Sequence, residues 1–173
     1  MKQQQLLTKH KKAYGGTLLN TRKGRKSGRP LSTRSTMHLV LKSSKAKGAW
    51  SFTRFDNDYK IREIVERFSE KYGVKILSLA NVGNHLHFHM KLSNRFTYRA
   101  FIRAVTSAIT MAITGASRFK PLQEKFWDYR PFTRIIESFK DFLGVEDYLE
   151  VNSLESIGMK RGHATWIIAS NSS

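Results

Sequence analysis

The chain has 173 residues, with 31 Lys and Arg against 13 Asp and Glu, for a formal net charge of +18 and no cysteine. With 40% hydrophobic and 12% aromatic residues it is long enough to bury a core, which excludes a wholly disordered polycation and leaves one folded domain as the expectation. The missing cysteines exclude a disulfide framework, a thiolate nucleophile and a Cys-based zinc site, so any metal must be held by nitrogen and oxygen. No apolar run is long enough to span a bilayer and the Gln- and Lys-rich start has no signal-like apolar stretch, so a soluble intracellular protein is expected.

The charge is concentrated at the front. Residues 1–55 hold 14 Lys and Arg and no carboxylate, whereas the remainder holds 17 basic and 13 acidic residues. Within residues 1–36 the run Arg22-Lys23-Gly24-Arg25-Lys26-Ser27-Gly28-Arg29-Pro30 has no helical or strand period and reads as a basic, flexible arm. Such an arm binds polyphosphate through counterion release, and nucleic acid is its natural partner. A solubilising tail and an anionic-membrane tether are the competing readings, the latter weakened by the lack of an apolar anchor. Residues 37–173 form the predicted domain.

The elements follow in chain order. Met37 to Lys42 is a short apolar run that suits a strand. Asp56 to Tyr72 places Ile61, Ile64, Val65 and Phe68 at helical spacing and stops at Gly73. Val74 to Val82 and His85 to Leu92, joined by Gly83-Asn84, predict a hairpin. Asn94 is placed to cap a second helix that buries Phe101, Ile102, Val105, Ile109 and Ile113 and ends near Thr114 at Gly115. Pro131 to Ile136 reads as a fourth strand, and Val145 to about Ser156 as a last helix before Gly158. That order predicts an α+β fold, a ferredoxin-like (RRM-like) βαββαβ antiparallel sheet with an added C-terminal helix.

Chemistry enters with the third strand. Its period of two sends Leu86, Phe88, Met90 and Leu92 to one face and His85, His87, His89 and Lys91 to the other. Imidazoles two residues apart stand roughly 6 to 7 Å apart at Cα and can lean onto one ion, whereas His85 and His89, about 13 Å apart, cannot easily share it. A polar sheet face that merely uses histidine is the competing reading. On the last helix Tyr148 and Asn152, four residues apart, share a face and present a phenol beside an amide. Two imidazoles and an amide oxygen would leave Mg²⁺ or Mn²⁺ room for phosphate oxygens and water. Taken singly, Tyr148 reads more readily as a partly buried core tyrosine and Asn152 as a capping or surface amide.

Asn84-His85-Leu86-His87, followed some sixty residues later by Tyr148-Leu149-x-x-Asn152-x-Leu154, together with Phe126-Trp127 and the strand Phe132 to Glu137, resembles the His-hydrophobic-His single-tyrosine transposases. Among these it is most similar to the REP-associated tyrosine transposases and their relatives, over roughly Met37 to Gly158. The resemblance implies His85 and His87 as the metal pair, Asn152 as third ligand, Tyr148 as nucleophile and Mg²⁺ or Mn²⁺ as cofactor. It also implies cleavage and rejoining of single-stranded DNA at hairpin or repeat elements through a 5′-phosphotyrosine, by a cytoplasmic, nucleoid-associated prokaryotic enzyme acting alone or as a homodimer. The family's usual Asn-Pro is here Asn152-Ser153, and the long basic front segment exceeds the compact family pattern. His89 is expected as a phosphate or solvent contact on the same face.

Candidate DNA contacts are Arg22, Lys23, Arg25, Lys26 and Arg29 of the arm and Lys91, Arg95, Arg99, Arg103, Arg130 and Arg134 of the body, with Tyr98 and Trp127 as possible stacking partners for bases. For Trp127 core packing is an equal alternative. Two other functions compete: a non-catalytic single-strand binder, which would want aromatics where this strand carries histidines, and a domesticated nickase that binds repeats without mobilising itself.

Overall fold

The structure, a computed structural model, describes residues 29–128 and 130–171. Four strands, β1 (Met37–Lys42), β2 (Val74–Asn81), β3 (His85–Leu92) and β4 (Phe132–Ile135), form one antiparallel sheet in the order β2-β3-β1-β4. Helices α1 (Phe55–Tyr72) and α2 (Thr97–Thr114) alternate with them as the predicted ferredoxin-like pattern requires.

Strand alternation decides which face is which. Met37, Leu39 and Leu41 of β1 and Leu86, Phe88, Met90 and Leu92 of β3 point to one face, where Ile61, Ile64 and Val65 of α1 and Phe101, Val105 and Ile109 of α2 close the main core over them. The opposite face carries His38, His85, His87 and His89, and over it lies α3 (Phe139–Ser156).

Two elements depart from the expected ones. The last predicted helix is longer than Val145 to Ser156: it begins at Phe139, where Ser138 Oγ accepts from Asp141 N at 3.1 Å. Gly144, inside this helix, masks its first turns in the sequence because glycine is a poor helix former. Beyond it a fourth helix, α4 (Arg161–Asn171), escaped the sequence reading. It is short, and its apolar contact is the pair Ala164 and Ile168, which pack on Val151 of α3. Asn94 also departs from its expected role: its Oδ1 accepts from Phe96 N at 2.8 Å in the turn leading into α2, and its side chain does not cap the helix.

Gly73 ends α1 in the left-handed conformation, φ 61°, with its N–H on the carbonyls of Ser69 and Glu70. A Cβ there would meet Ser93 Oγ at 2.5 Å, on the residue that closes the end of the β2–β3 pair. Gly73→Ala is therefore expected to lose about 1 to 2 kcal/mol in urea denaturation without change of slope.

Before β1 the chain already packs on the body. Leu31 lies against the core, and Pro30 O accepts from Thr133 Oγ1 at 3.0 Å. Arg22, Lys23, Arg25 and Lys26 lie outside the described residues. No described helix is long and apolar enough to cross a membrane.

Candidate active site

Sheet order brings a histidine to the site that sequence reasoning passed over. Because β1 lies beside β3, His38 on β1 reaches His87, with Nε2 to Nδ1 at 3.2 Å and the rings stacked at 5.5 Å and 16°. On the other side of His87 stands His85, ring centroids 5.9 Å apart and nearly parallel. Tyr148 of α3 sets its ring edgewise against this row, 5.6 Å from His87 and 6.0 Å from His38. The signal for His38 was a polar residue in an otherwise apolar strand, on the outward face of the strand that a ferredoxin-like order makes the neighbour of β3.

The electrostatics keep these rings neutral. Burial lowers His87 to about 3, and the neighbouring His38 and His85, which would repel a second proton, lower it further. Burial likewise lowers His38 to about 4, with Arg134 and His89 adding to it. His85, half-buried, is lowered by burial and by Lys42, against a smaller opposing pull from Asp128. A neutral imidazole is the form that ligates metal.

The hydrogen bonds also select the free nitrogens. His87 Nδ1 is engaged by His38, and His85 Nδ1 meets Asn84 Oδ1 at 2.5 Å, so each ring has Nε2 left to offer. Held at one nitrogen and open at the other is how metal-binding imidazoles are usually positioned. Among the described residues no three His, Cys, Asp or Glu side chains gather to hold an ion. The donor set fits a divalent ion that takes two imidazole nitrogens and fills its remaining positions with oxygen.

Asn152 is an oxygen donor that the direction of α3 brings towards this row. Glu146 bonds His89, Tyr148 meets His87 and Leu149 packs on Ala80, so α3 runs along β3 in the direction from His89 to His85. Asn152, one turn and about 6 Å beyond Tyr148, falls towards the His85 end. Its side chain is buried and its Nδ2 donates to Tyr148 O at 2.6 Å, which leaves the amide oxygen uncommitted within the helix.

His89 departs from its expected role as a phosphate or solvent contact. It is fully buried, Nδ1 paired with Glu146 Oε1 and Nε2 with Thr36 Oγ1 at 2.8 Å, while Phe142 covers its ring at 4.7 Å. Ser78 Oγ also reaches Glu146, at 3.1 Å. The cluster ties the helix bearing Tyr148 to the sheet, and with both ring nitrogens occupied His89 has nothing to give a substrate.

Beside Tyr148 a cleft of about 570 Å³ opens at the β4 edge, lined by His38, Phe132, Arg134, Ser138, Lys140 and Asp141 among others. Arg134 projects into it and is held by Asp141 Oδ1 at 2.6 Å. Lys91, on the imidazole face, is exposed opposite Lys75. Arg95, Arg99, Arg103 and Arg130 are exposed as well, but Arg99 and Arg103 belong to α2, on the other side of the sheet, and Arg95 to the turn that leads into it. Neither expected stacking aromatic is available for bases. The Tyr98 ring is buried in the main core, and Trp127, tilted at 5.6 Å against Phe52, donates Nε1 to Thr106 O and Thr110 Oγ1, both at 3.0 Å.

No curated protein matches the chain. Among solved structures, a REP-associated tyrosine transposase bound to a REP hairpin is similar at 16% identity and a TM-score of 0.59, over 76% of this chain and 73% of that one. A putative transposase from Deinococcus radiodurans R1 aligns at 13% identity and a TM-score of 0.47, over 74% of this chain and 98% of its own. The first of these likenesses agrees with the ferredoxin-like sheet described above. The model of the family "Transposase IS200 like" matches residues 32–150, a stretch that contains His38, His85, His87 and Tyr148 and stops just short of Asn152. A match over so much of the chain places the protein in the IS200-like transposase family, as its resemblance to the single-tyrosine transposases implies.

Proposed function

We propose that this transposase-family protein nicks and rejoins single-stranded DNA through Tyr148, with His85, His87 and Asn152 as the residues that hold a divalent ion, Mg²⁺ or Mn²⁺. One observation carries the reading: a half-exposed phenol stands edge-on to two neutral, stacked imidazoles of the same chain, at the mouth of a cleft. When bound, the ion supplies charge that polarises the scissile phosphate.

The chain's own residues do the rest. The backbone and side chains of α3 hold Tyr148 in place through Glu146, Leu149 and Val145, so the phenol oxygen meets phosphorus from a fixed direction. Attack forms the Tyr148 O–P bond and breaks the bond from phosphorus to the 3′ oxygen, and the phenol proton is matched by the proton gained at the new 3′-hydroxyl. A 5′-phosphotyrosine keeps the ester bond, so a second 3′-hydroxyl can reverse the step and join strands without a nucleotide cofactor. Arg134, already aimed into the cleft, contributes positive charge beside the entering backbone. A hairpin is the form of DNA held by the similar REP-associated transposase and is the substrate proposed here.

The test is a labelled single-stranded hairpin incubated with the protein and Mn²⁺ or Mg²⁺, then run on a denaturing gel. A covalent adduct is expected with metal and none in EDTA. Binding without adduct in either metal would leave only a single-strand binder, and full adduct in EDTA would remove the ion from the scheme. The front segment is expected to supply affinity rather than chemistry. Deleting residues 1–28, with eight Lys and Arg and no carboxylate, should flatten the salt dependence of DNA binding, by about 0.7 in the log–log slope for every phosphate the segment neutralises. An unchanged slope would mark the segment as a solubilising tail.

A further inference from the structure

Tyr98 presents a group that the core does not explain. Its ring packs in the main core beneath the sheet, yet its buried hydroxyl has no hydrogen-bond partner among the described residues. Buried hydroxyls are nearly always paired, so an unpaired one points to a ligand or water that completes it.

The surroundings say what kind of ligand. Burial pushes the Tyr98 phenol well above its ordinary value, while the guanidiniums of Arg29 and Arg130 pull it the other way, which places both charges within electrostatic reach of the hydroxyl. Arg29 Nη2 donates to Arg130 O at 3.2 Å and so brings the two arginines together. Residues 71–123, which include all of α2, contain no Asp or Glu. A hydroxyl donor and two cations, on an element without carboxylates, suit an oxyanion.

We propose that Tyr98, Arg29 and Arg130 hold a backbone phosphate of the DNA strand, on the sheet face opposite the imidazoles. This rests on the single-stranded DNA reading above and adds where the strand goes. Phe132 and Arg134 of β4 line the catalytic cleft, while Thr133 between them points to the helical side and donates to Pro30 O, next to Arg29, whose guanidinium reaches Arg130 O. β4 is the edge strand, so DNA leaving the cleft over that edge arrives at Arg130. Arg99 and Arg103, one turn apart on the flank of α2 that holds Trp127 through Thr106 and Thr110, extend the positive edge.

Tyr98→Phe removes only the unpaired oxygen, and Arg130→Gln changes an exposed side chain, so both are expected to fold. Measured by fluorescence anisotropy with the labelled hairpin across a salt series, Tyr98→Phe should bind about tenfold more weakly. Arg130→Gln should lower the salt slope by about 0.7. Tyr98→Phe binding as tightly as wild type overturns the subsite. If that occurs while wild type forms adduct, the subsite fails and the proposed chemistry stands. If Tyr98→Phe weakens binding while wild type forms no adduct, the chemistry fails and the subsite stands.

Discussion

Tyr148→Phe is expected to bind the hairpin within about twofold of wild type and to form no denaturation-resistant adduct, a loss of at least about 10³ in yield per unit time. The substitution removes one oxygen from a half-exposed ring whose contacts with His87 and His38 are edge-on and survive in Phe. Stability should move by no more than about 0.5 kcal/mol, so loss of adduct cannot be blamed on folding. The other described tyrosines offer no substitute: Tyr59 and Tyr72 lie on α1 and Tyr98 on α2, all on the far side of the sheet. Adduct at normal yield from the Phe variant would move the nucleophile elsewhere and end this proposal.

His87→Ala is expected to abolish both adduct formation and the response to added Mn²⁺. His87 is central to the row, stacked between His85 and His38 and touched by Tyr148, so no neighbour can take its place without the strand shifting. Substituting groups that only orient a metal ligand typically costs 10- to 100-fold, and removing the ligand itself should exceed that. The variant should also lose about 1 to 3 kcal/mol of stability, because the buried His38 Nε2 forfeits its partner. Titrating Mn²⁺ against adduct yield and against the urea midpoint separates the two effects. An unaltered Mn²⁺ dependence in a folded His87→Ala protein would remove this residue from the metal set.

Periodicity carried most of the fold. Leu86, Phe88, Met90 and Leu92 alternate strictly with polar neighbours, and all four are buried in the main core. Ile61, Ile64 and Val65 trace one stripe of α1 and are buried likewise. Where the period weakened, the reading shortened or failed. Phe139 and Phe142 belong to α3, but Gly144 interrupts the stretch, and α4 buries too little apolar surface to stand out from a polar tail.

The site was legible in part. Spacing along single elements puts His85 with His87 on one strand face and Tyr148 with Asn152 on one helix face, because i, i+2 on a strand and i, i+4 on a helix are local geometry, while the roles proposed for them come from the family resemblance. His38 and the His89–Glu146 cluster depend on which strand neighbours which and on where α3 lands, and neither is encoded in local spacing. Side chains that looked alike in sequence were sorted by burial: His85 stayed half-open while His89 was sealed under Phe142, and Tyr98 lost its ring to the core.

By itself the sequence determined the order of elements, the face on which the histidines stand and the positive charge that draws in a polyanion, since all three follow from residue type and short-range period. Tertiary structure alone decided that the phenol reaches the imidazoles within one chain and that His38 completes their row. Those contacts join residues from 49 to 110 positions apart, read from the numbering as His38 to His87 and His38 to Tyr148. Strand pairing brings His38 beside His87, and the packing of α3 on the sheet brings Tyr148 to both.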